Sequence, residues 1–171
     1  MTKTFRRRFY TRPGEFLLDF RYVMSRRKLI RAAMRKLIAP AFRERLMMVV
    51  TEVNGCRYCS VYHSRLALTS GVPEEQLREL LAGSIPQDAP SEELPALLYA
   101  RHWADRNAQP DPEAERRLEE VYGADWAAAI HILLRMIRVG NLLGNTADYL
   151  LYLFSFGRLG LREDESRFGG A

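Results

Sequence analysis

The sequence predicts an all-α fold, a compact bundle of about seven or eight helices built from a single domain over residues 1–171. Three observations predict it. Helix formers (Leu, Ala, Arg and Glu) dominate, and no stretch alternates cleanly with the period of two that a half-buried strand requires. Apolar residues recur three and four apart, which lines one face of a helix. The breaks between these runs carry Pro where helices start and Gly where they end.

Residues 1–13 read as a basic extended arm ending at the turn signal Pro13-Gly14. From Glu15 to Met24, the residues Phe16, Leu17, Phe20 and Val23 share a helical spacing. Ser25 is the expected cap of a second helix, Arg26 to about Leu37, with Leu29, Ile30, Ala33 and Leu37 inward. Pro40 opens a third, in which Leu46, Met47, Val49, Val50 and Val53 form a broad face and Glu44 lies near the start. Asn54-Gly55 signals a turn, so a fourth helix starts at or near Cys56 and closes at Gly71.

Pro73 opens a short helix carrying Leu77, Leu80 and Leu81, and Ala82 to Pro90 is a loop. The next helix runs from Ser91 to about Asn107 with Leu97, Leu98, Ala100 and Trp103. Asp111 as cap with Pro112 at the first helical position starts another, ending near Gly123. Asp125 is expected to cap the last stretch, Trp126 to about Phe156, which Gly140 and Gly144 are expected to kink or split. The tail from Gly157, with Gly160 and Gly169-Gly170, reads as loose.

Charge is unevenly placed: residues 1–50 carry +11 and the remainder −6. Such an arm can touch nucleic acid or an anionic membrane, but no nucleic-acid motif accompanies it. A solvated helix face, or an arm pairing with acidic surface on another subunit, is the expected reading, with neither nucleic acid nor membrane as partner. The N-terminus MTKTFRRRFY lacks the apolar core of a secretory signal. The apolar region Ala127–Phe156 is interrupted by Arg135, Arg138, Asn141, Asn145 and Asp148, too polar for a comfortable membrane span. Two cysteines in a C-x-x-C argue for a reducing compartment, so a cytoplasmic protein is expected.

Chemistry concentrates in Cys56-Arg57-Tyr58-Cys59-Ser60-Val61-Tyr62-His63, a C-x2-C-x3-H pattern that holds both cysteines of the chain. At about 100° per residue, Cys56 and His63 fall nearly in line, with Cys59 one turn before His63. A thiolate is the nucleophile in redox chemistry, and an imidazole can take the thiol proton. Once one sulfur is oxidised to sulfenic acid, a second nearby thiol condenses with it to a disulfide. The helix dipole favours Cys56 as the more acidic thiol, while proximity to His63 favours Cys59.

With Arg43-Glu44 upstream and Ala67 and Gly71 downstream, the segment resembles the core motif of the carboxymuconolactone decarboxylase / alkylhydroperoxidase D (AhpD-like) family. Its redox branch carries a Glu, eleven residues, then C-x2-C-x3-H, and Glu44 stands at that offset from Cys56. The recognisable part runs from about Ala39 to Leu81 and includes Val72-Pro73-Glu74-Glu75-Gln76-Leu77. The resemblance implies the same all-α fold and a peroxidase-like activity, since the decarboxylase branch generally lacks the cysteine pair. It further implies Cys59 as the attacking thiol, Cys56 as the resolving thiol, and His63 with Glu44 as the proton relay.

The expected function is therefore a thiol-dependent hydroperoxide reductase or thiol–disulfide oxidoreductase. The substrate is a hydroperoxide, and no cofactor or metal is called for. The resemblance implies a dithiol reductant, lipoyl-bearing or thioredoxin-like, and a homo-oligomer, a trimer or hexamer. Three alternatives stand beside it. One is a zinc site on Cys56, Cys59 and His63, whose fourth ligand is missing locally. Another is a non-enzymatic interaction protein docking through its basic arm, and the last a decarboxylase of the carboxymuconolactone type. Elsewhere, His131 reads as a core or interface histidine and His102 as superficial. Asn141 and Asn145 read as capping a helix break beside Gly140 and Gly144, with lining of the active-site pocket as the alternative. Tyr58 and Tyr62 flank the motif and either shape the pocket or pack.

Overall fold

The structure is a computed structural model that describes residues 4–162 and residue 165. Among these residues there are seven α-helices and no strand. In chain order they are α1 (Pro13–Ser25), α2 (Arg27–Ala32, continued by a π-helical turn over Ala33–Leu37), α3 (Pro40–Asn54), α4 (Arg57–Thr69), α5 (Glu74–Leu81), α6 (Leu94–Asp105) and α7 (Pro112–Phe154). The all-α expectation holds.

Helix α3 is the most enclosed. Pro40 sits in its first turn, where a missing N–H costs nothing, and Phe42, Leu46, Met47, Met48, Val49 and Val50 are buried along it. It packs against α4, α6 and α7. Trp103, Leu97 and Ala100 of α6, with Ile130, Leu133 and Leu134 of α7, complete the core. Each such side chain contributes roughly 1.5–3 kcal/mol on burial. Arg45 reaches out of α3 to Gln76 (2.9 Å) and Glu93 (2.9 Å), tying α5 and the start of α6 to it.

Several local expectations are corrected. Leu17 and Phe20 of α1 are 56 and 44% exposed, whereas Asp19 is buried. A buried carboxylate needs partners, and Asp19 receives Tyr10 (3.0 Å), Arg135 (3.0 Å) and Arg138, so this cluster sets the rotation of α1 on α7. Ser25 does not cap α2: it ends α1 and donates to Tyr22 O at 3.0 Å. Asp111 occupies the cap position of α7, but its side chain makes no cap bond and lies 3.5 Å from Arg106 and 3.3 Å from His102. The break expected near Gly123 is present, with non-helical backbone (φ 76°, ψ 162°) in a region that only glycine adopts readily kinking α7 there, but Asp125 lies two residues beyond it in helical backbone rather than at a cap.

Gly140 and Gly144 neither kink nor split α7. Gly160, expected in a loose tail, is buried against the end of α7; Gly169-Gly170 lies outside the described residues. By length and composition α7 could cross a membrane, but 56% of its apolar window is buried inside the protein.

Candidate active site

Three helices meet at the dithiol. Gly55 ends α3 at φ 71°, and its amide bonds back to Thr51 O (2.8 Å) and Glu52 O (3.2 Å). The chain turns there, so Cys56 becomes the N-cap residue of α4 and Cys59 lies in its first turn. Both cysteines are free thiols: Cys56 is fully buried and Cys59 partly exposed. The far wall is α7. A Cβ built on Gly144 would stand 2.8 Å from Cys56 Sγ and 3.3 Å from Tyr58 Cδ2. One built on Gly140 would stand 3.8 Å from Cys59 Sγ. Gly144 is the glycine that lets α7 pass close over Cys56, whereas Gly140 leaves room for a methyl group beside Cys59.

Glu44 and His63 meet across α3 and α4. Glu44 Oε2 lies 2.7 Å from His63 Nδ1, with the carboxylate side chain 1% and the imidazole 12% exposed. The other carboxylate oxygen accepts from Arg43 Nε at 3.0 Å. With Glu44 ionised, Nδ1 carries the proton and Nε2 is left as the basic nitrogen. His63 follows Cys59 by four residues on α4, so the two share a face.

The dithiol is electrostatically asymmetric. The Cys59 thiol, by donating to Cys56 Sγ, lowers the Cys56 pKa from 9.0 to about 7; burial opposes this, and the backbone amides of Cys59 and Tyr58 and the charge of Arg7 assist it. Cys59 is pushed upward because its proton is held by Cys56, with burial and the Cys56 charge adding to the effect and Asn141 opposing it. Cys56 is therefore the more acidic of the two thiols, partly ionised near neutral pH.

A buried amide ladder backs this arrangement. Asn141 donates to Thr51 Oγ1 (3.1 Å) and accepts from Asn54 Nδ2 (3.1 Å). Asn145 donates to Asn54 O (2.7 Å) and Arg8 O (2.8 Å). Capping of a helix break is thus corrected: Asn141 and Asn145 brace the turn that carries Cys56, and Asn141 also acts on Cys59. Asp148, one turn further, is fully buried and accepts from Arg7 (2.6 Å), Arg57 (2.7 Å) and Tyr58 (2.6 Å). Burial pushes its carboxyl up, but the bonds from Tyr58, Arg7 and Arg57 outweigh that and hold it below its ordinary value. Tyr62 is 61% exposed and stacks edge-on against His63.

The basic arm is stitched to its own chain. Arg7 donates to Glu165 (3.1 Å), Asn145 (3.3 Å), Asp148 and Gly160 O, and Arg8 to the carbonyls of Ala104 and Asp105. A cavity of about 410 Å³, bordered by Arg6, Arg7, Arg8, Gly55 and Arg162, opens beside the same turn. The sequence reading did not single out Arg7 or Asp148 as site residues. The available signal was the series Gly140, Asn141, Gly144, Asn145, Asp148, which marks one small and polar face on an apolar helix.

Elsewhere, His131 accepts from or donates to Tyr99 at 3.2 Å, and burial lowers its pKa. Among the described residues, no group of three His, Cys, Asp or Glu side chains is disposed to hold a metal ion, so the zinc alternative gains no support from the geometry. Comparison with known families gives one match: the carboxymuconolactone decarboxylase family, over residues 20–106, about half of the chain. Searches of curated proteins and of solved structures return no match.

Proposed function

The chain belongs to the carboxymuconolactone decarboxylase family, and from that premise we propose that it is a thiol-dependent hydroperoxide reductase or thiol–disulfide oxidoreductase cycling a Cys56–Cys59 disulfide. Membership admits both decarboxylase and alkylhydroperoxidase-type chemistry. The dithiol favours the second, because a lactone decarboxylation leaves it without a task. The observation that carries the reading is the partly buried Glu44–His63 pair, 2.7 Å apart, whose imidazole shares a helix face with Cys59 beside a second thiol.

The roles follow the family resemblance and exposure; proton affinity by itself favours Cys56 as the nucleophile. Cys59 is the more accessible sulfur and attacks the terminal oxygen of ROOH after its proton passes to His63 Nε2, Glu44 stabilising the imidazolium. The O–O bond breaks, ROH leaves with a proton drawn from solvent in place of the one Cys56 released on ionising, and Cys59 becomes a sulfenic acid. Cys56, as the thiolate, attacks the Cys59 sulfur; hydroxide leaves and takes the His63 proton as water. The sum is dithiol plus ROOH giving disulfide, ROH and water. An external dithiol, lipoyl-bearing or thioredoxin-like, returns the pair to the reduced state by exchange. A reducing compartment such as the cytoplasm suits this cycle.

The test uses reduced protein in chelator with one equivalent of an organic hydroperoxide, followed by thiol counting and intact mass. Wild type is expected to lose both thiols and two hydrogens. Cys59→Ser is expected to form no internal disulfide, and Glu44→Gln to react roughly 10²-fold more slowly. Survival of both thiols in wild type under excess peroxide would remove the peroxidase reading.

A further inference from the structure

We propose that Arg7 of the N-terminal arm is a positioning residue for the dithiol: clamped by Asp148, Asn145 and Glu165, it lies across Gly55 and holds a positive charge that stabilises the Cys56 thiolate. The proposal rests on the redox reading above and extends it to residues outside the segment that matches the family, which ends at residue 106.

The geometry begins at Gly55. A Cβ there would stand 2.9 Å from Arg7 Cγ and 3.2 Å from Arg7 Cδ, so the aliphatic stem of Arg7 lies on the residue that precedes Cys56. The guanidinium then reaches α7, bonding Asn145 and Asp148. Those two residues lie one and four positions after Gly144, the point at which α7 meets Cys56 Sγ. Arg7 is only 8% exposed, and its remaining donors go to Glu165 and Gly160 O. A charge desolvated and clamped in this way acts through low dielectric, where it is worth more than at a surface.

The clamp joins three separate parts of the chain. The arm brings Arg7; α7 brings Asn145 and Asp148; the tail brings Gly160 and Glu165. The charged and titratable groups arranged around Cys56 are Arg7 from the arm, Arg57, Tyr58 and Cys59 from α4, Asp148 from α7, and Arg162 and Glu165 from the tail. Arg57 is committed to Asp148 and Tyr58 and is the more exposed of the two arginines. Asp148 pairs with both guanidiniums and Glu165 adds a second carboxylate to Arg7, so the clamp holds Arg7 in place while offsetting part of its charge.

The experiment titrates Cys56 alone. In a Cys59→Ser background a single cysteine remains, and its thiolate is followed by ultraviolet absorbance and by the pH dependence of alkylation. Replacing Arg7 with Met keeps the stem and removes the charge; the Cys56 midpoint is expected to rise by a few tenths of a pH unit, the Arg7 charge being the weakest of the effects on that thiol. Arg7→Lys restores charge without the fork and is expected to recover most of the shift. Far-ultraviolet dichroism reports whether each variant is folded. Should Arg7→Met not fold, Arg7→Gln is read in its place. An unchanged midpoint in either folded neutral variant, or a rise in Arg7→Lys equal to that of the neutral variant, overturns the proposal. Failure of wild type to close a disulfide with peroxide would sink the redox reading instead, and the Cys56 titration would still decide the role of Arg7.

Discussion

At the scale of single residues, the two sulfurs differ because their surroundings differ. Cys56 occupies a helix N-cap, is fully buried, and receives the Cys59 thiol as a donor. Cys59 sits one turn along, partly exposed, on the face that carries His63. Acidity and accessibility are thereby split between the two thiols, which suits a pair in which one attacks and the other resolves. A consequence is measurable. The Cys56 value in the folded reduced protein, about 7, lies below its ordinary 9.0. A depressed acid stabilises the fold at high pH and loses that contribution as pH falls through the folded value. Reduced wild type should therefore gain stability over Cys56→Ser as pH rises between about 7 and about 9, read by urea unfolding under a non-thiol reductant. A difference independent of pH in that window would count against Cys56 as the acidic thiol.

At the scale of elements, the active site is a contact between the first turn of α4 and the middle of α7. Intrinsic helix propensity penalises Gly140 and Gly144 by roughly 1 kcal/mol each relative to Ala. Packing reverses the balance at one of them. At Gly144 a methyl group would meet Cys56 Sγ at 2.8 Å, closer than real Cβ contacts, whereas at Gly140 the nearest atom is Cys59 Sγ at 3.8 Å. Gly144→Ala is expected to destabilise by about 1–3 kcal/mol as α4 and α7 are pushed apart. Gly140→Ala is expected to be neutral or to stabilise by up to about 1 kcal/mol. Thermal unfolding of the two variants separates these outcomes; equal effects would mean that α7 does not approach the sulfurs unequally.

At the scale of the whole molecule, the family-matched segment supplies the dithiol, His63 and Glu44, while the arm, α7 and the tail enclose them. A single copy leaves sizeable apolar side chains uncovered. Val61 and Tyr62 on α4 are 55 and 61% exposed, and Phe154 and Phe156 at the end of α7 are 80 and 95% exposed. Burial of such side chains favours self-association. By the family resemblance a trimer or hexamer is expected, and sedimentation equilibrium on the reduced protein measures it directly. A strict monomer at working concentration would leave these residues without a role in assembly.

The sequence by itself determined the helical class, most helix boundaries, and the chemical motif. Those are local matters: apolar spacing, Pro and Gly at helix ends, and four residues at set intervals carry them without reference to the rest of the chain. Even the placement of Cys56 at a helix start followed from Asn54-Gly55 alone. Which faces turned inward was less legible. On α1 Val23 is buried as its spacing implies, but Asp19 is buried in place of Leu17 and Phe20, because the partners that satisfy it, Arg135 and Arg138, lie 116 and 119 residues away. The same distance in sequence hid the meaning of Gly144, Asn145 and Asp148. In the sequence they look like defects in an apolar helix. Only the tertiary structure decided that they form the wall facing the sulfurs and the clamp for Arg7, since steric contact and charge compensation are properties of positions in space.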